Sequence, residues 1–185
     1  MHRALVPSAA SSPMTGLPPL TLVIGGARSG KSRHAEMLVT ATPPPWRYVA
    51  TARALDAEMA ERIALHRNQR KKGWVTHEVA VELPECIARL GAQRTPILVD
   101  CLTLWLTNVM LGEHDVAGAI DALEASLEAV SAPMVLVANE VGLGIVPENA
   151  LARRFRDEAG RLNQRLAARA TRVILMVAGL PMQVK

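Results

Sequence analysis

The sequence predicts a three-layer α/β/α fold around a mostly parallel central sheet. Three observations carry this. From Leu20 onward, short apolar runs alternate with longer stretches of helical periodicity, the pattern of βαβ units. Most of the short runs are continuously apolar, as in Met134-Val135-Leu136-Val137-Ala138, which is how strands read when helices cover both faces of the sheet. The first run ends in a glycine-rich turn that opens directly into a helical stretch.

Taken in order, the strands are expected over 20–24, 48–51, 75–79, 97–100, 134–138 and 173–177. The helices are expected over 31–41, 56–70, 84–93, 102–111, 116–129 and 150–170. Several ends have a local cause. Asp56 and Asn149 have side chains that accept from the exposed amides of a first turn, and Pro84 suits such a turn because it needs no amide hydrogen there. Pro43-Pro44-Pro45 cannot continue a helix, so it ends the first one.

A chain of 185 residues that is 50% hydrophobic can bury one sizeable core, and residues 20–185 are read as one domain. With aromatics at only 3%, that core must be filled by aliphatic residues and methionine. Residues 1–19 are rich in Ala, Ser and Pro and lack the apolar stretch of a signal peptide, so a disordered leader is expected. No run reaches transmembrane length. Cys86 and Cys101 stand alone, without the spacing of a zinc site or a disulfide framework, which fits a reducing cytoplasm. The formal charge of +4 suits a polyanionic partner, yet no nucleic-acid recognition motif accompanies it; the same charge serves phosphate binding.

The chemistry concentrates in Gly25-Gly26-Ala27-Arg28-Ser29-Gly30-Lys31-Ser32, which matches GxxxxGK[ST] between a buried strand and a helix. Glycines let the backbone wrap phosphate closely, loop amides and the helix N-terminus supply positive potential, Lys31 reaches the β and γ phosphates, and Ser32 offers a hydroxyl to Mg²⁺. The bland alternative is a glycine-rich turn with a surface lysine. A carboxylate at the end of a neighbouring strand usually completes such a site, and Asp100 closes the run Ile97-Leu98-Val99; it is read as a Mg²⁺ group, an N-cap for the next helix, or both. Glu140 begins a shaped segment, Val141-Gly142-Leu143-Gly144-Ile145-Val146-Pro147, after another core strand, at the edge where α/β sheets bind ligands. It either assists Mg²⁺ or the acceptor hydroxyl, or is a solvated glutamate in a tight loop. His66 lies among Arg62, Arg67 and Arg70; nearby guanidinium groups favour the neutral, nucleophilic imidazole and attract phosphate, although a lone helical histidine is more often structural. The run Arg67 to Lys72 either solvates a helix end or meets phosphate. His34 is expected to pack or to support the phosphate loop from behind. No guanine-reading NKxD and no DxxG switch is present, which argues against a signalling GTPase.

These motifs together resemble the bifunctional adenosylcobinamide kinase and adenosylcobinamide-phosphate guanylyltransferase family of cobalamin biosynthesis. The likeness runs from Leu20 to Lys185 and includes GGARSGKSRHAE, YVATA at Tyr48, DAEMAERIALH ending at His66, DCLTLWLTN at Asp100, NEVGLGIVPEN at Asn139 and ARRFRDEAGRLNQRLA at Ala152. The resemblance implies a RecA-like P-loop NTPase core and two reactions: phosphorylation of adenosylcobinamide by ATP or GTP, then transfer of GMP from GTP through a covalent histidine. It implies that His66 is that nucleophile, and that Ala50, Thr51, Ala52, Arg67, Asn68, Gln69, Arg70, Glu78 and Asp100 line the nucleotide site. It further implies Mg²⁺ and a homo-oligomer, described as a trimer. The competing readings are a P-loop small-molecule kinase without guanylyl transfer and a nucleotide-dependent ATPase or assembly module.

Overall fold

The computed structural model describes residues 16–53, 61 and 72–185. Seven strands are present among them: β1 (Leu20–Gly25), β2 (Trp46–Ala50), β3 (Trp74–Glu78), β4 (Ile97–Asp100), β5 (Met134–Asn139), β6 (Arg172–Val177) and β7 (Leu180–Gln183). The helices are α1 (Lys31–Thr40), α2 (Leu83–Gly91), α3 (Leu102–Leu111), α4 (Val116–Ala129) and α5 (Ala150–Arg169). The helix expected over 56–70 lies, apart from residue 61, outside the described residues.

One sheet has the order β3-β2-β4-β5-β1-β6-β7. All neighbours are parallel except β6 and β7. The antiparallel β7 is the element that apolar periodicity does not announce. It is four residues long, contains Pro181 and is exposed throughout, so it has no buried face to impose a pattern. It follows a two-residue turn in which Ala178 (φ 50) and Gly179 (φ 83) are both left-handed, the backbone that matches the twist of a tight hairpin.

The continuous apolar runs have the expected cause. In β1, Leu22 faces one core with Val49, Ile87, Trp105, Leu136 and Leu162. Its neighbour Val23 faces another with Val39, Trp46, Tyr48, Val137 and Met176. Alternate residues therefore point to opposite faces, and both faces are covered. Leu17, within the stretch expected to be leader, also packs against the second cluster, and Pro19 O accepts from Met134 N at 2.9 Å. Asn149 caps α5 as expected, its side chain accepting from Ala152 N at 3.0 Å, and Asp115 does the same for α4 through Ala117 N. Residue 100 does not cap α3; Cys101 occupies that position, which leaves the Asp100 carboxylate free for other work.

Parallel pairing has one consequence for function. Ala50 is in register with both Asp100 and Glu78, and Gly25 with Asn139. The residues singled out by sequence are thereby gathered along the C-terminal edge of one sheet, where open α/β sheets bind ligands.

Candidate active site

The loop from Gly25 to Ser32 joins β1 to α1, and two of its glycines, Gly25 and Gly30, are required by geometry. A side chain at Gly25 (φ +156) would meet Met176 O at 2.6 Å, and Gly30 (φ +91) is the left-handed residue at the N-terminus of α1. Gly26, Ala27 and Arg28 are exposed, whereas Ser29 and Lys31 are buried. Lys31 Nζ donates to Gly26 O at 2.6 Å, so the ammonium lies across its own loop on a neutral carbonyl that a phosphate can outcompete. Burial pushes the Lys31 pKa down; Cys101 and Asp100 oppose that shift. Cys101 is itself deeply buried and pushed up to about 11 by desolvation and by Asp100. Its thiol is therefore neutral near pH 7.

Asp100 Oδ2 accepts from Tyr48 Oη at 2.9 Å. Behind the carboxylate, Thr51 is completely buried. Its hydroxyl donates to Cys101 O at 2.6 Å and accepts from Cys101 N at 2.9 Å, while its amide donates to Asp100 O at 3.3 Å. Asn108 Nδ2 in turn donates to Thr51 O at 2.9 Å and to Ala80 O at 3.0 Å. Every polar group of Thr51 is thus engaged, and this residue reaches the site through the backbone that carries Asp100. On the other side of the loop, the Glu140 amide donates to Gly25 O at 2.9 Å, and Glu140 Oε1 accepts from Gly142 N at 2.5 Å. Asn139 is clamped by two helices: its amide donates to Thr103 Oγ1 at 2.6 Å and its carbonyl accepts from Asn163 Nδ2 at 3.2 Å. Gly179, in the β6–β7 turn, donates to Ser29 O at 3.2 Å and braces the loop from the third side.

The sheet thus brings together the loop, Ala50, Thr51, Asp100 and Glu140, and places Glu78 at the end of β3 on the same edge. His66, Arg67, Asn68, Gln69 and Arg70 lie outside the described residues. His34 is half-buried on α1, with its pKa lowered by burial and by Arg172. Sequence reasoning did not single out Tyr48, Thr103, Asn108 or Asn163. A signal existed for two of them: Thr103 and Asn108 are buried polar side chains in the predominantly apolar helix α3, and a buried polar group needs a partner.

A hydroxyl from Ser32 and carboxylate oxygen from Asp100 form a hard oxygen donor set that fits Mg²⁺. No group of three or more His, Cys, Asp or Glu residues that could hold an ion alone occurs among the described residues. Mg²⁺ is commonly held by one or two carboxylates together with substrate phosphates.

A family model described as cobinamide kinase / cobinamide phosphate guanyltransferase matches residues 21–184. The bifunctional adenosylcobalamin biosynthesis protein CobP of Pseudomonas aeruginosa is 46% identical over 166 residues, spanning 89% of this chain and 96% of that protein. The Salmonella typhimurium bifunctional adenosylcobalamin biosynthesis protein CobU is 45% identical over 181 residues, spanning 90% of this chain and 99% of that protein. Among solved structures, an ATPase from the type III secretion system of pathogenic bacteria superposes with a TM-score of 0.53 at 12% identity, over 91% of this chain and 57% of that one. At that identity the likeness shows the fold alone. Among the described residues, no helix is long and apolar enough to cross a membrane.

Proposed function

This chain belongs to the cobinamide kinase / cobinamide phosphate guanyltransferase family, and on that premise we propose how its residues divide the two reactions. The enzyme phosphorylates adenosylcobinamide and then converts the product to adenosylcobinamide-GDP, a step of adenosylcobalamin biosynthesis. The observation that supports the assignment of residues is that Asp100 acts electrostatically on Lys31 of the phosphate-binding loop and that the Glu140 amide donates to Gly25 O of the same loop.

In the kinase step the acceptor hydroxyl oxygen attacks the γ-phosphorus of ATP or GTP, the bond to the β-phosphate oxygen breaks, and the nucleoside diphosphate leaves. Loop amides and Lys31, released from Gly26 O, hold the phosphates and offset the charge that moves onto the leaving oxygen. Ser32 and Asp100 would hold Mg²⁺, with Glu140 serving either the ion or the acceptor hydroxyl. When bound, Mg²⁺ supplies charge neutralisation on the phosphate oxygens. In the second step a neutral His66 nitrogen attacks the α-phosphorus of GTP and pyrophosphate leaves. The phosphate oxygen of the phosphorylated acceptor then attacks the same phosphorus, breaking the P–N bond and forming the diphosphate link. Ala50, Ala52, Arg67, Asn68, Gln69, Arg70 and Glu78 line the nucleotide in this scheme. The enzyme works in the cytoplasm as a homo-oligomer, a trimer on the family's pattern.

The test is product analysis. Adenosylcobinamide incubated with ATP and Mg²⁺ should gain one phosphoryl group by mass spectrometry, and addition of GTP should then yield the GDP derivative with release of pyrophosphate. Phosphorylation without GMP addition would leave a simple kinase, and nucleotide hydrolysis with an unchanged corrinoid would leave an ATPase.

A further inference from the structure

The segment between Glu140 and Asn149 is fixed at both ends and bare in the middle. At its start, Glu140 is tied to Gly25 O through its amide and to Gly142 N through its carboxylate. At its end, Arg153 Nη1 donates to Pro147 O at 3.0 Å and to Glu148 O at 2.5 Å, and Asn149 caps α5. Between these anchors, Leu143, Ile145 and Val146 expose 88%, 97% and 58% of their surface. A cluster of large apolar side chains projecting into water marks a surface that something covers.

We infer that Leu143, Ile145 and Val146 receive the apolar face of the corrinoid acceptor. This rests on the proposed reading of the site. The acceptor hydroxyl must reach the γ-phosphate over the loop, and it sits on an arm that is short beside the macrocycle. The ring must therefore lie on surface that adjoins the loop. A corrin ring presents methyl-bearing, largely apolar faces and an amide-bearing rim. On the β5 side the adjoining surface begins at Glu140, bonded directly to Gly25, and presents these three side chains. A second copy of the chain is the other apolar occupant to weigh. A standard protein interface engages about 20–30 residues a side; three side chains match one face of a small molecule better. The anchors also keep the segment in place before substrate arrives, which lowers the ordering cost of binding.

Full-length Ile145→Ser and Val146→Ser test this against wild type and against Ile145→Leu, which keeps the apolar surface. KM for adenosylcobinamide in the kinase reaction should rise roughly tenfold in each serine variant, and equilibrium dialysis without nucleotide should show the same loss of corrinoid affinity. KM for ATP, melting temperature and molecular mass by light scattering should stay at wild-type values, and Ile145→Leu should behave as wild type. Unchanged corrinoid KM and affinity in the serine variants would overturn the inference. A lower molecular mass in those variants would also overturn it, because the segment would then be a contact between copies. Failure of the wild type to phosphorylate adenosylcobinamide would sink the underlying reading, and this inference with it, before any variant is compared.

Discussion

Thr51→Val isolates the support behind Asp100. Thr51 has no exposed surface, and valine keeps its outline while removing the hydroxyl. The Cys101 carbonyl retains a partner, because Trp105 N donates to it at 3.2 Å in the first turn of α3. The Cys101 amide loses Thr51 Oγ1, its hydrogen-bond acceptor at 2.9 Å. An orphaned buried amide costs about 1–3 kcal/mol, and losing the hydroxyl's own bond to the carbonyl adds about 1 kcal/mol, for a total of about 2–4 kcal/mol. In a chain of this size each kcal/mol moves Tm by about 2–4 °C, so a fall of about 4–16 °C is expected by calorimetry. Because Cys101 directly follows Asp100, the variant should also need more Mg²⁺ for half-maximal kinase rate. Thr51→Ser keeps the hydroxyl and should restore the Mg²⁺ requirement, losing only the packing of one methyl group. A Thr51→Val protein with wild-type Tm and wild-type Mg²⁺ response would refute the reasoning that Thr51 holds the Asp100–Cys101 backbone.

Two further perturbations probe separate parts of the molecule. Tyr48→Phe removes the hydroxyl that donates to Asp100 Oδ2; loss of a bond worth about 1 kcal/mol should raise the Mg²⁺ concentration for half-maximal activity roughly fivefold, and an unchanged Mg²⁺ titration would dissociate Tyr48 from the metal site. Glu124 on α4 has its pKa lowered chiefly by its hydrogen bond to Arg165, with Arg169 adding to the effect. A depressed carboxyl pKa means that stability is present above the ordinary carboxylate value and is lost as pH falls through the lower, folded value. Glu124→Gln should therefore melt below wild type at neutral pH, with the gap closing below about pH 4.5; a gap independent of pH would point to packing instead of charge.

Most of the sheet was legible because burial leaves an apolar trace in β1, β2, β4, β5 and β6. Leu22 and Val23 serve different cores, so neither position can be polar. β7 left no trace because, among the described residues, all four of its positions are exposed. The phosphate loop was legible because its requirements are local: Gly25 has no room for a side chain and Gly30 needs a left-handed backbone. The parts that hold the site together depend instead on pairs distant in sequence. Tyr48 meets Asp100 across 52 positions and Asn108 meets Thr51 across 57. No window of sequence contains both partners. Asp100 illustrates the same limit. From sequence it could be a Mg²⁺ group, a helix cap or both, and the placement of Cys101 at the α3 cap removes the second of these roles.

The central claim is that one phosphate-binding loop serves both reactions while His66 carries the guanylyl group. The most direct measurement uses GTP labelled at its α-phosphate, with Mg²⁺, followed by denaturing electrophoresis of wild type and His66→Ala, each also assayed for phosphorylation of adenosylcobinamide. Acid-labile, base-stable label is expected on the wild type, with its discharge by adenosylcobinamide phosphate and its loss in His66→Ala with kinase activity largely kept. Equal label on wild type and His66→Ala would contradict it.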